Sequence, residues 1–180
     1  MATKRGILCV ADSVRFADIG SECEKLSKKA CFLPNAQSAG LYEIAQQLGG
    51  VPGDAAALTG DGAFVLVKGA ENLAPALEAC NRRTLLVVVL ADGVAFYGLA
   101  IDSKKGKVDR AATAQDLALT IATILDLPIT GDCTAAILYQ VLKDPNLKLN
   151  ELIKLQEALS RMESVIERNN REPWDKHDCA

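Results

Sequence analysis

Two aspartates stand where a parallel α/β sheet would put its chemistry. Asp12 follows the apolar run GILCVA at residues 6–11, and Asp92 follows TLLVVVLA at residues 84–91. Sites in such sheets form beyond the carboxyl ends of the strands. Two carboxylates converging there could hold a divalent cation through oxygen ligands. The residues from Ser38 onward predict a helix over 38–48, with Ser38 as its cap and Gly49-Gly50 as its stop. A helix N-terminus favours anions, and a serine there could serve as a nucleophile. Aspartate at a strand end and serine at a cap are also ordinary structural choices, so these residues define a candidate and no more.

Imidazole and sulfur add little. The chain has one histidine, His177, which excludes a metal site built from several histidines of one chain. The six cysteines (Cys9, Cys23, Cys31, Cys80, Cys133 and Cys179) form no Cys-x-x-Cys pair and are widely spaced. They read as reduced thiols, with Cys9 a small buried apolar residue inside a strand. Trp174 and His177 lie in the polar tail NNREPWDKHDCA, which reads as a frayed terminus or a tail anchored by the tryptophan. The KKGK run at 104–107 stands alone without interleaved aromatics, so it reads as a solvated turn.

The elements that must position these groups alternate. Strands are predicted at 6–11, 63–67, 84–91 and 95–101, and helices at 21–30, 38–48, 72–81, 113–125 and 135–143. Ser21 is read as the cap of the first helix, and Thr113, followed three residues later by Asp116, as the cap of the fourth. Pro75 is tolerated only in the first turn of its helix. Pro34-Asn35 reads as a chain break, and residues 51–62, with Pro52, Gly53, Gly60 and Gly62, as loop. The uninterrupted aliphatic run at 84–91 implies burial on both faces. The expected fold is α/β, a mostly parallel sheet covered by helices, over residues 1–145. Residues 146–180 are expected to form a C-terminal amphipathic helix and the polar tail. In that helix Leu152, Leu155, Leu159, Met162 and Ile166 recur at steps of three and four. This spacing suits either packing on its own domain or association, as a homo-oligomer or with a helical partner, through Leu152, Leu155, Leu159 and Met162.

Charge and composition bound the function. With 20 basic and 23 acidic side chains the net charge is −3, and 49% of residues are hydrophobic. That excludes a disordered chain and argues against broad nucleic-acid binding, which needs a basic face. The first apolar stretch ends at Asp12, and no run approaches the roughly 20 residues that span a bilayer. A cytoplasmic protein without membrane attachment is expected.

Four stretches, in order, carry a family resemblance. ILCVADSVRFADIG (7–20) is similar to a strand ending in an Asp-Gly-Met-Gly-like motif. NAQSAGLYEIAQQLGG (35–50) is similar to an Asp-Ser-Ala nucleophile segment opening a helix. DGAFVLVKGAENLAPALEACNRRTLLVVVLADG (61–93) resembles a strand ending in Val-Glu-Gly, its following helix, and a strand ending in Ala-Asp-His. ATAQDLALTIATILDLPI (112–129) resembles a final helix that ends at Leu-Gly-Leu. Together they resemble the alkaline phosphatase superfamily, with Asp12 and Asp92 at metal-binding aspartate positions and Ser38 at the nucleophile.

The departures from that pattern bear on function. Gln37 replaces the aspartate before the serine, Lys68 the glutamate of Val-Glu-Gly, Asn72 an aspartate, Ala76 a histidine, and Gly93 the histidine of Ala-Asp-His. The resemblance implies zinc or magnesium for catalysis, while Lys68 sets a positive charge where a cation would sit. No cofactor is therefore expected, and Lys68 with the Ser38 segment could still hold an anion. Two functions follow as expectations: a catalytically degenerate relative with a binding, regulatory or assembly role, or a reduced metal-dependent phosphomonoesterase or phosphotransferase using Ser38.

Overall fold

A computed structural model of the chain describes residues 3–129 and 131–171. Its organising element is β5 (Thr84–Leu90), every residue of which is buried. Such a strand must pair along both edges, because an unpaired backbone group in the interior costs about as much as a lost hydrogen bond. On one edge β1 (Arg5–Ala11) runs parallel to it, with Ile7 opposite Leu86 and Cys9 opposite Val88. On the other edge β6 (Gly93–Gly98) runs antiparallel, returning through the two residues Ala91 and Asp92. The sheet is completed by β2 (Cys31–Pro34), β3 (Val51–Pro52) and β4 (Phe64–Lys68), in the order β2-β6-β5-β1-β4-β3. Only β6 opposes the common direction.

Alternate residues serve two faces. Leu85, Val87 and Val89 join Leu8, Leu66 and Phe96 beneath α2 (Leu41–Gln47) and α5 (Ala114–Leu125). Leu86, Val88 and Leu90 join Ile7, Val65 and Val67 beneath α1 (Glu24–Lys29), α3 (Ala55–Leu58) and α4 (Leu73–Glu78). The architecture is thus α/β, with a mostly parallel mixed sheet between two helical layers.

Several local expectations are corrected. β2 occupies what reads as a break; its outer edge is covered where Phe32 N–H donates to Gly106 and Val108 N–H donates to Phe32. The 51–62 loop contains β3 and α3, the latter capped by Asp54, whose carboxylate accepts from the amides of Ala56 and Ala57. The first helix begins as a 3-10 turn at Ser21–Cys23 and receives no side-chain cap from Ser21.

The predicted helix at 135–143 does not form; only Tyr139–Val141 makes a single 3-10 turn. Its amides are taken by α5. Asp116 Oδ1 accepts from Ala136 N–H at 2.8 Å, and Thr120 Oγ1 from Leu138 N–H at 2.9 Å. Arg110 holds the Ile137 carbonyl and the Gln140 side chain, while Leu138, Val141 and Leu142 are buried in the first core. Tertiary acceptors have outbid local helix propensity.

α5 itself begins as its sequence pattern indicates. Thr113 Oγ1 accepts from Asp116 N–H, and the Asp116 carboxylate accepts from Thr113 N–H. Residues Asn146–Ala180 separate from Met1–Pro145 as a second compact unit, and within it α6 (Leu147–Arg171) is one helix of 25 residues. Trp174, His177 and Cys179 lie outside the described residues.

Asp116 serves both the cap and the 135–138 segment, and the Ala136 and Thr113 amides hold its carboxyl below the usual aspartate range. A depressed folded-state pKa adds stability that is present above the unfolded value and lost as pH falls through the folded one. Asp116→Asn should therefore cost at least the ~1 kcal/mol of a lost cap at neutral pH. The gap from wild type should close on acidification, measured as urea midpoints across pH.

Candidate functional site

The carboxyl ends of β1 and β4 and the chain leading into α2 enclose a cavity of about 350 Å³. β1 contributes Val10 and, just beyond its end, Asp12; β4 contributes Lys68, followed by Gly69; and residues 38–43 contribute Ser38, Tyr42 and Glu43. Gly69 N–H donates to the Val10 carbonyl at 2.8 Å and ties the two strand ends together. The Lys68 ammonium lies 4.0 Å from the centroid of the Tyr42 ring, a cation–π geometry that keeps the cation at the cavity wall. Ser38 is half-buried, while Asp12 and Lys68 are exposed.

Asp12, Ser38 and Lys68 therefore share one cavity. Ser38 does not cap the helix as expected. Gly40 is the N-cap, with a φ of 84° that favours glycine, and it receives no side-chain hydrogen bond. The Ser38 carbonyl accepts from Leu41 N–H at 3.0 Å. Its hydroxyl thus sits beside the helix start and does not close it.

Asp92 is not among the residues lining this cavity. Its Oδ1 accepts from Phe16 N–H at 3.0 Å, and its carbonyl accepts from Asn35 N–H at 3.0 Å. Next to it Ala91 N–H donates to Val14, and Phe16 stacks on Phe32 with centroids 4.4 Å apart. Asp92 thus clamps the loop that follows β1. The second carboxylate lining the cavity is Glu43. Tyr42 and Glu43 are not singled out by the sequence; their signal is spacing, four and five residues after Ser38 and therefore in the first turn of the helix.

Three positions at which the resemblance would place metal ligands have structural duties. Asn72 is buried and donates through Nδ2 to the Lys68 carbonyl at 2.8 Å. Ala76 is fully buried in the second core. Gly93 is packed against β2 so closely that an added Cβ would strike the Leu33 carbonyl. Among the described residues no three histidine, cysteine, aspartate or glutamate side chains come together as a metal-holding group. The cavity's donor set, two carboxylates and a hydroxyl beside an ammonium, does not fit the zinc or magnesium that the resemblance implies.

The cysteines are no better suited to chemistry. Burial pushes the Cys9 thiol up to about 12, with the Glu71 carboxylate adding to the effect. Burial likewise pushes Cys80 to about 11, and raises Cys23 and Cys31. Thiols held protonated are poor nucleophiles and ligands. Cys133 is exposed, beside a second cavity of about 470 Å³ between α2, α5 and residues 128–129 and 132–135. Comparison of the chain with family models, curated proteins and solved structures returns no match.

Two outcomes follow. Gly93→Ala should destabilise by about 1–3 kcal/mol, as overpacking does, read from urea unfolding. In a Cys179→Ser chain one thiol should react rapidly with a disulfide reagent in native buffer. Cys133→Ser should remove that phase, while the three buried thiols, Cys9, Cys23 and Cys31, respond only after denaturation and the half-buried Cys80 responds slowly.

Proposed function

We propose that this chain is a catalytically degenerate relative of the alkaline phosphatase-like proteins that acts by binding and assembly. The observation that carries this reading is Lys68. The residue aligned with a metal-binding glutamate places its ammonium over Tyr42 at the wall of the cavity that Asp12 and Ser38 line. Two like unit charges at 4 Å repel by about 1 kcal/mol in water and several times more where water is excluded, and a dication doubles that. A serine nucleophile needs a base or a metal to lose its proton, and among the described residues no imidazole lines the cavity. What the cavity suits is a small anion held by Lys68 without metal.

The assembly part rests on α6, which exposes Leu149, Leu152, Ile153, Leu155, Leu159, Met162, Val165 and Ile166, each by 43–68%. Burying an aliphatic side chain fully contributes about 1.5–3 kcal/mol, so covering eight half-exposed ones recovers roughly 6–12 kcal/mol. Association itself costs about 4–15 kcal/mol. A polar partner leaves that balance near zero. A partner that brings an apolar helical stripe of its own doubles the gain, and this selects an apolar helix as the chemical class. No helix among the described residues is long and apolar enough to cross a membrane.

The phosphomonoesterase reading is favoured by one observation, that Asp12 and Glu43 line the same cavity as Ser38. A phosphomonoester assay on the full chain with added zinc or magnesium separates the two. The expected result is the same background rate for wild type and Ser38→Ala. Metal-dependent turnover that Ser38→Ala abolishes would overturn the proposal.

A further inference from the structure

Resting on the reading of the cavity as an anion site at Lys68, we infer that its ligand is a small zwitterion, an amino carboxylic acid whose carboxylate meets Lys68 and whose ammonium meets Asp12 and Glu43. Three charged side chains line this cavity, the Lys68 ammonium and the carboxylates of Asp12 and Glu43. Among the described residues none of the three forms an ion pair, and neither carboxylate accepts a hydrogen bond. The carboxylates of Asp54, Asp92 and Asp116, by contrast, each accept from a backbone amide. The Lys68 ammonium lies over the Tyr42 ring, 4.0 Å from its centroid, and pairs with neither carboxylate. Opposite charges are thus held apart around one space.

That arrangement selects among small ions. A simple anion gains Lys68 but faces two carboxylates, and a phosphate with nearly two negative charges is repelled more strongly still. A simple amine gains both carboxylates but faces Lys68. A zwitterion leaves no charge of the cavity unmatched. Its ammonium carries three N–H donors, and the cavity offers three acceptors, the Asp12 and Glu43 carboxylates and the Ser38 hydroxyl. Its carboxylate takes the Lys68 ammonium in a charge-assisted hydrogen bond. Volume sets the size. About 350 Å³ lies near the lower end of the roughly 300–1,000 Å³ of small-molecule sites, room for about a dozen waters at roughly 30 Å³ each. A short amino acid fits that space and a polymer does not.

The test is an amide-resolved NMR titration of the full chain with glycine, β-alanine, γ-aminobutyrate and ε-aminocaproate, which set the two charges progressively further apart. At least one should bind saturably and shift the amides of residues 38–43 and Gly69. Its N-acetyl derivative lacks the ammonium, and its methyl ester lacks the carboxylate. Each should bind about tenfold more weakly or worse, the cost of a lost charge-assisted hydrogen bond. Glu43→Gln should erase most of the preference for the amino acid over its N-acetyl derivative, and Lys68→Met most of the preference over its ester. Both side chains are exposed, so the fold tolerates either change. The inference is overturned if no member of the series binds, if the shifts fall elsewhere, if a derivative binds as tightly as the amino acid, or if the variants keep both preferences. An N-acetyl acid that binds equally well and needs Lys68 would still leave the anion reading standing, so the two fail separately.

Discussion

The structure depends on one constraint, the burial of β5 on both faces and along both edges. Its six aliphatic residues contribute about 1.5–3 kcal/mol each when fully buried, which rivals the roughly 5–15 kcal/mol of net stability a whole domain possesses. That gain is realised only if every backbone amide of the strand is paired and both faces are roofed. The first condition places β1 and β6 beside it. The second demands helices above and below, and α2 with α5 and α1 with α3 and α4 supply them. The parallel strands then end together, and their shared carboxyl edge is where loops can bring side chains into one space.

At that edge two aspartates that look equivalent in sequence take different roles. The difference is how the chain leaves each strand. After β5 it turns back within two residues, so Asp92 lies in a tight hairpin facing the loop after β1, and its carboxylate satisfies the Phe16 amide. After β1 the chain departs into that loop, and Asp12 is left at the cavity wall. A carboxylate already accepting a backbone hydrogen bond serves as a fastener. One without such an obligation stays available to a ligand.

Much of the fold was legible because burial follows the period of the element. TLLVVVLA announces a central strand, and Thr113 with Asp116 announces a helix start, since both signals act within a few residues. β2 was hidden because it is four residues long and ends at Pro34, whose turn-forming character dominates any local reading. Residues 135–143 were misread because the deciding acceptors, Asp116 and Thr120, lie 18–20 residues away. In the cavity Asp12 and Ser38 were legible from residue type and position and Lys68 only through the resemblance, whereas Tyr42 was not legible at all. Its role comes from the meeting of α2 with the end of β4, which no local pattern records.

The positions where the resemblance would place metal ligands also explain why the departures hold together. Asn72 anchors the Lys68 carbonyl, Ala76 fills the core beneath α4, and Gly93 lets β2 and β6 approach. A histidine at position 93 would force two hydrogen-bonded strands apart, and one at position 76 would put an imidazole into a dry apolar cluster without a partner, a burial that costs free energy. Each of the three residues is thus set by its own local packing or hydrogen bonding. At these three positions the residues serve the sheet and the helix and are not open to a ligand.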